Sequence, residues 1–144
     1  MSEARPKQFV AVFDFGAQYG QLIARRVRDL HVYSEIVPCD ISADELAAMA
    51  PSAIILSGGP ASVYAEGAPD MDARVFELGI PILGFCYGEQ IMAVKLGGEV
   101  AHTNKGEYGP ATLTRLGSSV LLDGTPEGGQ TVWMSHRDSV SRAP

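Results

Sequence analysis

The chain has 144 residues, 46% hydrophobic and 19% charged, which suits one globular domain burying roughly 70% of its unfolded surface. Its formal charge of −6 and pI near 4.9 argue against nucleic acid or an anionic membrane as a partner. No run of about 18 apolar residues could span a bilayer, and the polar start Met1 to Gln8 lacks the apolar core of a signal peptide. A cytoplasmic protein is therefore expected, with residues 1–8 flexible and Cys39 and Cys86 both reduced. No Cys or His pair has zinc-ligand spacing, so no metal site is expected.

Phe9 to Phe15 is a nearly continuous apolar run of strand length, the pattern of a central strand covered on both faces. Gly16 breaks it, and a helix follows from about Gln18 to Leu30, with Ile23, Val27 and Leu30 on one side. Arg25, Arg26 and Arg28 read as its solvated face, and His31 as an exposed residue beyond its end. Ser34 to Val37 is a short strand stopped by Pro38. Ser42-Ala-Asp-Glu45 is a capping box opening a helix that ends near Pro51. Ala53 to Leu56 is a third buried strand, running into the turn Ser57-Gly58-Gly59-Pro60. A helix from Asp70 to Leu78 comes next, then a strand over Ile80 to Leu83 and a helix from Glu89 to Leu96.

This alternation predicts a flavodoxin-like, doubly wound α/β sheet with parallel core strands, right-handed crossovers and helices on both faces. After Gly98 the pattern changes. Ala111 to Leu116 and Thr131 to Met134 read as antiparallel additions at the sheet edge, joined by Gly-rich turns. The domain as a whole is expected to cover residues 9–144 and to be incomplete at its C-terminal end.

Gly84-Phe85-Cys86-Tyr87-Gly88 stands between a strand and a helix and has the G-x-nucleophile-x-G form of a nucleophile elbow. The tight turn strains its central residue, and the flanking glycines remove Cβ atoms that would clash. The thiol is thereby raised at the carboxyl edge of the sheet, where the positive end of a helix favours thiolate. Read alone, Cys86 is as readily a small buried hydrophobe at a strand end. Gly58 and Gly59 lie at the same edge and could present N–H groups to an oxyanion, although Gly-Gly-Pro by itself is more often only a turn. His136 is a candidate general base from its residue type, against a structural role at a strand end; His102 has a weaker claim. No G-x-G-x-x-G or G-x-x-x-x-G-K-[ST] is present, so a nucleotide site on this chain is unsupported.

The segments Asp14 to Tyr19, Gln21 to Arg28, Leu56 to Tyr64, Gly84 to Gln90, Glu107 to Gly109 and Val132 to His136 resemble the class I glutamine amidotransferase domain of GMP synthetases. The similarity runs from about Phe9 to Val140. It implies that Cys86 is the nucleophile, that the backbone N–H groups of Gly59 and Tyr87 form the oxyanion hole, and that Gly58, Gln90, Ser135 and His136 bind L-glutamine. It also implies that the ammonia released serves an ATP-pyrophosphatase domain or subunit that converts XMP to GMP. By the same resemblance ATP and magnesium belong to that partner, and no cofactor is expected on this chain. Association of several copies is left open.

Three features depart from the resemblance. Glu89 occupies an elbow position that is usually apolar, and Arg137 follows Ser-His where Gly is common. The family's His-Pro-Glu segment, source of the catalytic base and acid, does not occur in the 144 residues. Weak or absent glutaminase activity is therefore expected of this chain alone, the length of which reads best as a piece of a longer enzyme. The rival readings are a non-catalytic flavodoxin-like interaction module or a decayed amidotransferase subunit, and another cysteine-elbow family, the DJ-1/PfpI group. That group usually carries His directly after the nucleophile, where this chain has Tyr87.

Overall fold

A computed structural model describes residues 6–60 and 62–144, with side chains 103–105 outside the description; of the expected flexible stretch 1–8, residues 1–5 lie outside the described residues. Four strands, β1 (Phe9–Asp14), β2 (Tyr33–Pro38), β3 (Ala53–Leu56) and β4 (Ile82–Gly84), form one sheet in the order β2-β1-β3-β4. All three pairings are parallel, with Val10 opposite Ala53 and Ile54 opposite Ile82. The order reverses direction after β2. Right-handed crossovers then put α1 (Tyr19–Asp29) on one face and α2 (Ala43–Met49) on the other.

Side-chain alternation along β1 makes the two faces distinct. Phe9, Ala11 and Phe13 join Ile54 and Leu56 of β3 in one buried cluster with Leu46 of α2, Val75 and Ile91. Each fully buried large side chain there contributes about 1.5–3 kcal/mol. Val12 is fully buried but lies outside that cluster, on the α1 side, where Ala24 is also fully buried. The Ser34 hydroxyl donates to the Ala24 carbonyl at 2.8 Å and anchors α1 to β2. Arg25, Arg26 and Arg28 are exposed as expected, and Arg28 also reaches the Ser34 hydroxyl.

The capping box at Ser42 forms as its residues dictate: Ser42 Oγ accepts from the Glu45 N–H, and the Glu45 carboxylate accepts from the Ser42 N–H. The helix expected over Asp70 to Leu78 is instead a short 3-10 helix, Ala73–Glu77, capped by Asp72. Its carboxylate accepts from the Arg74 guanidinium at 2.8 Å, from the Arg74 N–H and, at 2.9 Å, from the Ala43 N–H that opens α2. These bonds, the one to the Arg74 side chain foremost, hold Asp72 well below the usual carboxylate range. A carboxyl depressed in the folded state contributes stability above its ordinary range and loses it as pH falls through the depressed value. Asp72→Asn should therefore melt below the parent at pH 7, with the gap shrinking as the pH drops below about 4. Thermal scans at pH 7 and pH 3 with an unchanged gap would contradict this role.

The helix after the elbow, α3 (Tyr87–Lys95), starts two residues earlier than the sequence pattern suggests. The later strands are present and longer than expected: β5 (Glu99–Leu113) and β6 (Gln130–Arg142). They run antiparallel, with Glu99 against Ser141 and Arg142 at one end and Gly129 against Leu113 at the other. The pair is a two-stranded sheet of its own, separate in hydrogen bonding from the parallel sheet. The chain divides into two compact units, one reaching to Val100 and including Val140–Pro144, the other Ala101–Ser139.

Candidate active site

Within the first unit, strand β4 passes into helix α3 through only Phe85 and Cys86. Cys86 is forced to φ 49° and ψ −112°, a backbone conformation that side chains other than glycine rarely adopt. Such a residue costs about 1–3 kcal/mol and persists only where its surroundings fix it. Here they do. Phe85 N–H donates to the Leu56 carbonyl at 2.9 Å, and the Gly88 and Gln90 amides donate back to Phe85 and Cys86. A Cβ at Gly84 would come within 2.7 Å of the Glu89 nitrogen, and one at Gly88 within 2.6 Å of Leu56 Cβ. Both glycines of the elbow are thus required by close approach of backbone to backbone.

The turn after β3 lies directly against the elbow. A Cβ at Gly58 would be 3.6 Å from that of Cys86, and one at Gly59 would be 2.9 Å from the Phe15 carbonyl and 3.3 Å from the Tyr87 ring. Ser57, fully buried, fixes the turn: its hydroxyl accepts from the Phe15 N–H at 3.3 Å and donates to the Gly58 carbonyl at 3.1 Å. Tyr87 is buried against Phe15, ring centroids 5.1 Å apart, and its hydroxyl donates to the Pro69 carbonyl. Cys86, Tyr87, Gly58 and Gly59 are therefore brought together, and the Gln90 side chain is buried one helical turn from Cys86. An exposed thiol with a glycine turn packed against it suits acyl transfer through a tetrahedral intermediate.

Electrostatics at the thiol run against the sequence expectation. Burial pushes the Cys86 thiol up, and the Glu89 carboxylate on the first turn of α3 pushes it further in the same direction. The positive end of α3 favours thiolate, but it acts against both effects. Cys39 is likewise a free thiol, half-buried beyond β2.

Ser135 and His136 belong to the second unit, on β6. His136 Nδ1 lies 2.9 Å from the Asp138 carbonyl and Nε2 lies 3.1 Å from the Glu107 carboxylate. Both ring nitrogens are thereby engaged inside the ribbon. His102 Nδ1 pairs with the buried Asp138 carboxylate at 2.6 Å. Sequence reasoning missed both pairs, because contacts across a ribbon with an unknown register leave no spacing signal. Arg137 Nε donates to the Tyr108 hydroxyl at 3.3 Å. Among the described residues, no cluster of His, Cys, Asp and Glu could hold a metal ion, and no helix is long and apolar enough to cross a membrane.

The family model for class-I glutamine amidotransferases matches residues 11–144. The chain belongs to that family. Curated relatives of this amidotransferase include the glutamine-hydrolysing GMP synthases of Thermobifida fusca, 57% identical over 94% of the chain, and of Nocardia farcinica, 57% identical over 98%. The chain spans about a quarter of their length, 25% and 26% respectively. Among solved structures, a GMP synthase subunit from Thermoplasma acidophilum superposes with a TM-score of 0.80 at 30% identity. The amidotransferase chain is covered over 95% in that match and covers 68% of the Thermoplasma protein. A glutamine amidotransferase from Thermotoga maritima shares the fold, with a TM-score of 0.64 at 18% identity.

Proposed function

We propose that this chain is the glutamine-hydrolysing part of a GMP synthase, with Cys86 as its nucleophile. The observation that carries the reading is the Cys86 backbone, strained to φ 49° beside the Gly58-Gly59 turn, in a chain 57% identical to glutamine-hydrolysing GMP synthases. Cys86 Sγ attacks the γ-amide carbon of glutamine as the thiolate. The carbonyl oxygen becomes an oxyanion and accepts from the Gly59 and Tyr87 N–H groups. Collapse of this intermediate breaks the C–N bond, and the departing nitrogen leaves as ammonia after gaining a proton. Water then cleaves the γ-glutamyl thioester to release glutamate and restore the thiol. Gly58 and Gln90, in the same unit as Cys86, bind the glutamine.

The ammonia serves a second active site on an ATP-pyrophosphatase domain or subunit, where XMP activated by ATP and magnesium becomes GMP. The chain itself carries no cofactor in this reading, and it works in the cytoplasm. The 144 residues hold no His-Pro-Glu segment to supply the base and its acidic partner. His136, engaged at both nitrogens by Asp138 and Glu107 within the second unit, is not read as a substitute base.

Two readouts test the proposal. The purified chain should release glutamate far more slowly than the roughly 1–10³ s⁻¹ of ordinary enzymes. Its Cys86 should nonetheless be alkylated faster by a chloromethyl ketone built on the glutamine skeleton than by chloroacetamide, as read by peptide mass spectrometry. Turnover at an ordinary rate would overturn the missing-base argument. Equal reactivity towards both reagents would overturn glutamine as the substrate.

A further inference from the structure

We propose that Ser57 is a positioning residue for the oxyanion at the Cys86 site, its hydroxyl fixing the direction of the Gly59 N–H. This role rests on the glutamine reading and adds to it the group that sets one of the two donors. Gly58 and Gly59 lack Cβ atoms, so the peptide between them can turn over at little steric cost. One orientation offers the Gly59 N–H to a negative oxygen. The other offers the Gly58 carbonyl, which repels it. Two glycines by themselves do not choose between these.

Ser57 makes the choice. The Phe15 N–H can only donate, at 3.3 Å, so Ser57 Oγ accepts there and its single hydrogen goes to the Gly58 carbonyl at 3.1 Å. Ser57 is fully buried, so water does not compete for either bond. The Gly58–Gly59 peptide is trans, which puts its C=O and its N–H on opposite sides of the chain. With the carbonyl held towards Ser57, the N–H is turned away from that buried side chain. Among the described residues the Gly59 N–H has no acceptor, which leaves it available to a ligand. Packing keeps the turn in place as a whole: a Cβ at Gly59 would stand 2.9 Å from the Phe15 carbonyl, and one at Gly58 3.6 Å from Cys86 Cβ. What packing leaves free is the rotation of the peptide between the glycines, and that is the motion the Ser57 hydroxyl stops.

The test uses the purified 144-residue chain and an aldehyde on the glutamine skeleton, with CHO in place of the side-chain amide. The Cys86 thiol adds across the aldehyde C=O, sulfur to carbon and proton to oxygen, with nothing leaving. The tetrahedral oxygen then takes the place of the oxyanion. Ser57→Ala should bind this aldehyde about ten- to hundredfold more weakly, a part of the roughly 10²–10³ lost with a whole donor. L-Glutamate, which forms no tetrahedral centre, should bind the variant as it binds the parent, and circular dichroism checks that the variant folds. A second readout needs no variant: in the parent the Gly59 amide proton should move downfield in the aldehyde adduct and stay in place with L-glutamate. That amide decides the matter if Ser57→Ala does not fold. Aldehyde affinity kept in Ser57→Ala, aldehyde and L-glutamate weakened by the same factor, or a Gly59 amide unmoved by the adduct would each overturn the role of Ser57. Glutamine as the substrate stands through any of these while the parent binds this aldehyde more tightly than butanal. Without that preference the glutamine reading fails, and the role of Ser57 with it.

Discussion

Cys86→Ala should remove glutamine turnover, by a factor of about 10⁴–10⁶, from any longer form of this chain that carries a base and an acid. The size follows from covalent catalysis. The thioester route divides amide cleavage into two easier steps, and without the sulfur the remaining backbone donors can only stabilise direct attack by water. The substitution is also clean. Cys86 is exposed, and alanine removes one sulfur without adding volume to the elbow. Its strained backbone remains, so circular dichroism and melting temperature should change little while glutamate release disappears. Ammonia supplied directly should still support any synthetase activity of the longer protein. If glutamine-dependent activity survived at more than about a hundredth of the parent level, Cys86 would not be the nucleophile, and the chain would be better read as a non-catalytic interaction module.

Gly88→Ala should unfold or severely loosen the first unit, costing more than about 3 kcal/mol. The added methyl would stand within 2.6 Å of both the carbonyl carbon and the Cβ of Leu56. Leu56 is a fully buried residue of β3, and its carbonyl also accepts from Phe85. No flexible side-chain end can swing away, so α3 must retreat from the sheet and take Ile91 and Tyr87 out of the core. Gly117→Ala is the control, because nothing lies within 4 Å of the position its Cβ would occupy and its φ is not positive. That change should shift stability by less than about 0.5 kcal/mol. Urea titrations of both variants check the contrast. Equal midpoints would show that elbow and β3 are not in the close contact described.

Local signals identify most of the parallel sheet. The apolar run at Phe9, the capping box at Ser42 and the strand at Ala53 occur at, or within a residue or two of, the positions that their sequence patterns indicate. Each is a short-range effect, in which a side chain meets its own backbone or alternates with period two. Around Ala73–Glu77 the pattern suggests a longer α-helix than the 3-10 turn that forms, because Asp70 and Asp72 are both competent caps. The choice falls to Asp72, whose carboxylate also reaches Ala43, 29 residues away, and no local pattern encodes such a bond. The ribbon of β5 and β6 exceeds its sequence signal in length for a similar reason. Its Gly- and Ser-rich stretches have weak strand propensity, and pairing between the strands supplies what propensity does not.

By itself the sequence indicated the elbow around Cys86, because two glycines around a cysteine at a strand–helix junction are a local steric requirement. It also determined the parallel order of the core, since alternating strands and helices leave few right-handed arrangements. Only the tertiary structure decided what surrounds the thiol. The contact of Gly58 and Gly59 with Cys86 and Tyr87 joins segments almost 30 residues apart, and the pairing of His136 with Glu107 depends on a register set by the whole ribbon. The sign of the effect on Cys86 was decided there too. A helix N-terminus can be read from the chain and favours thiolate, whereas desolvation and the position of the Glu89 carboxylate exist only once the chain has folded.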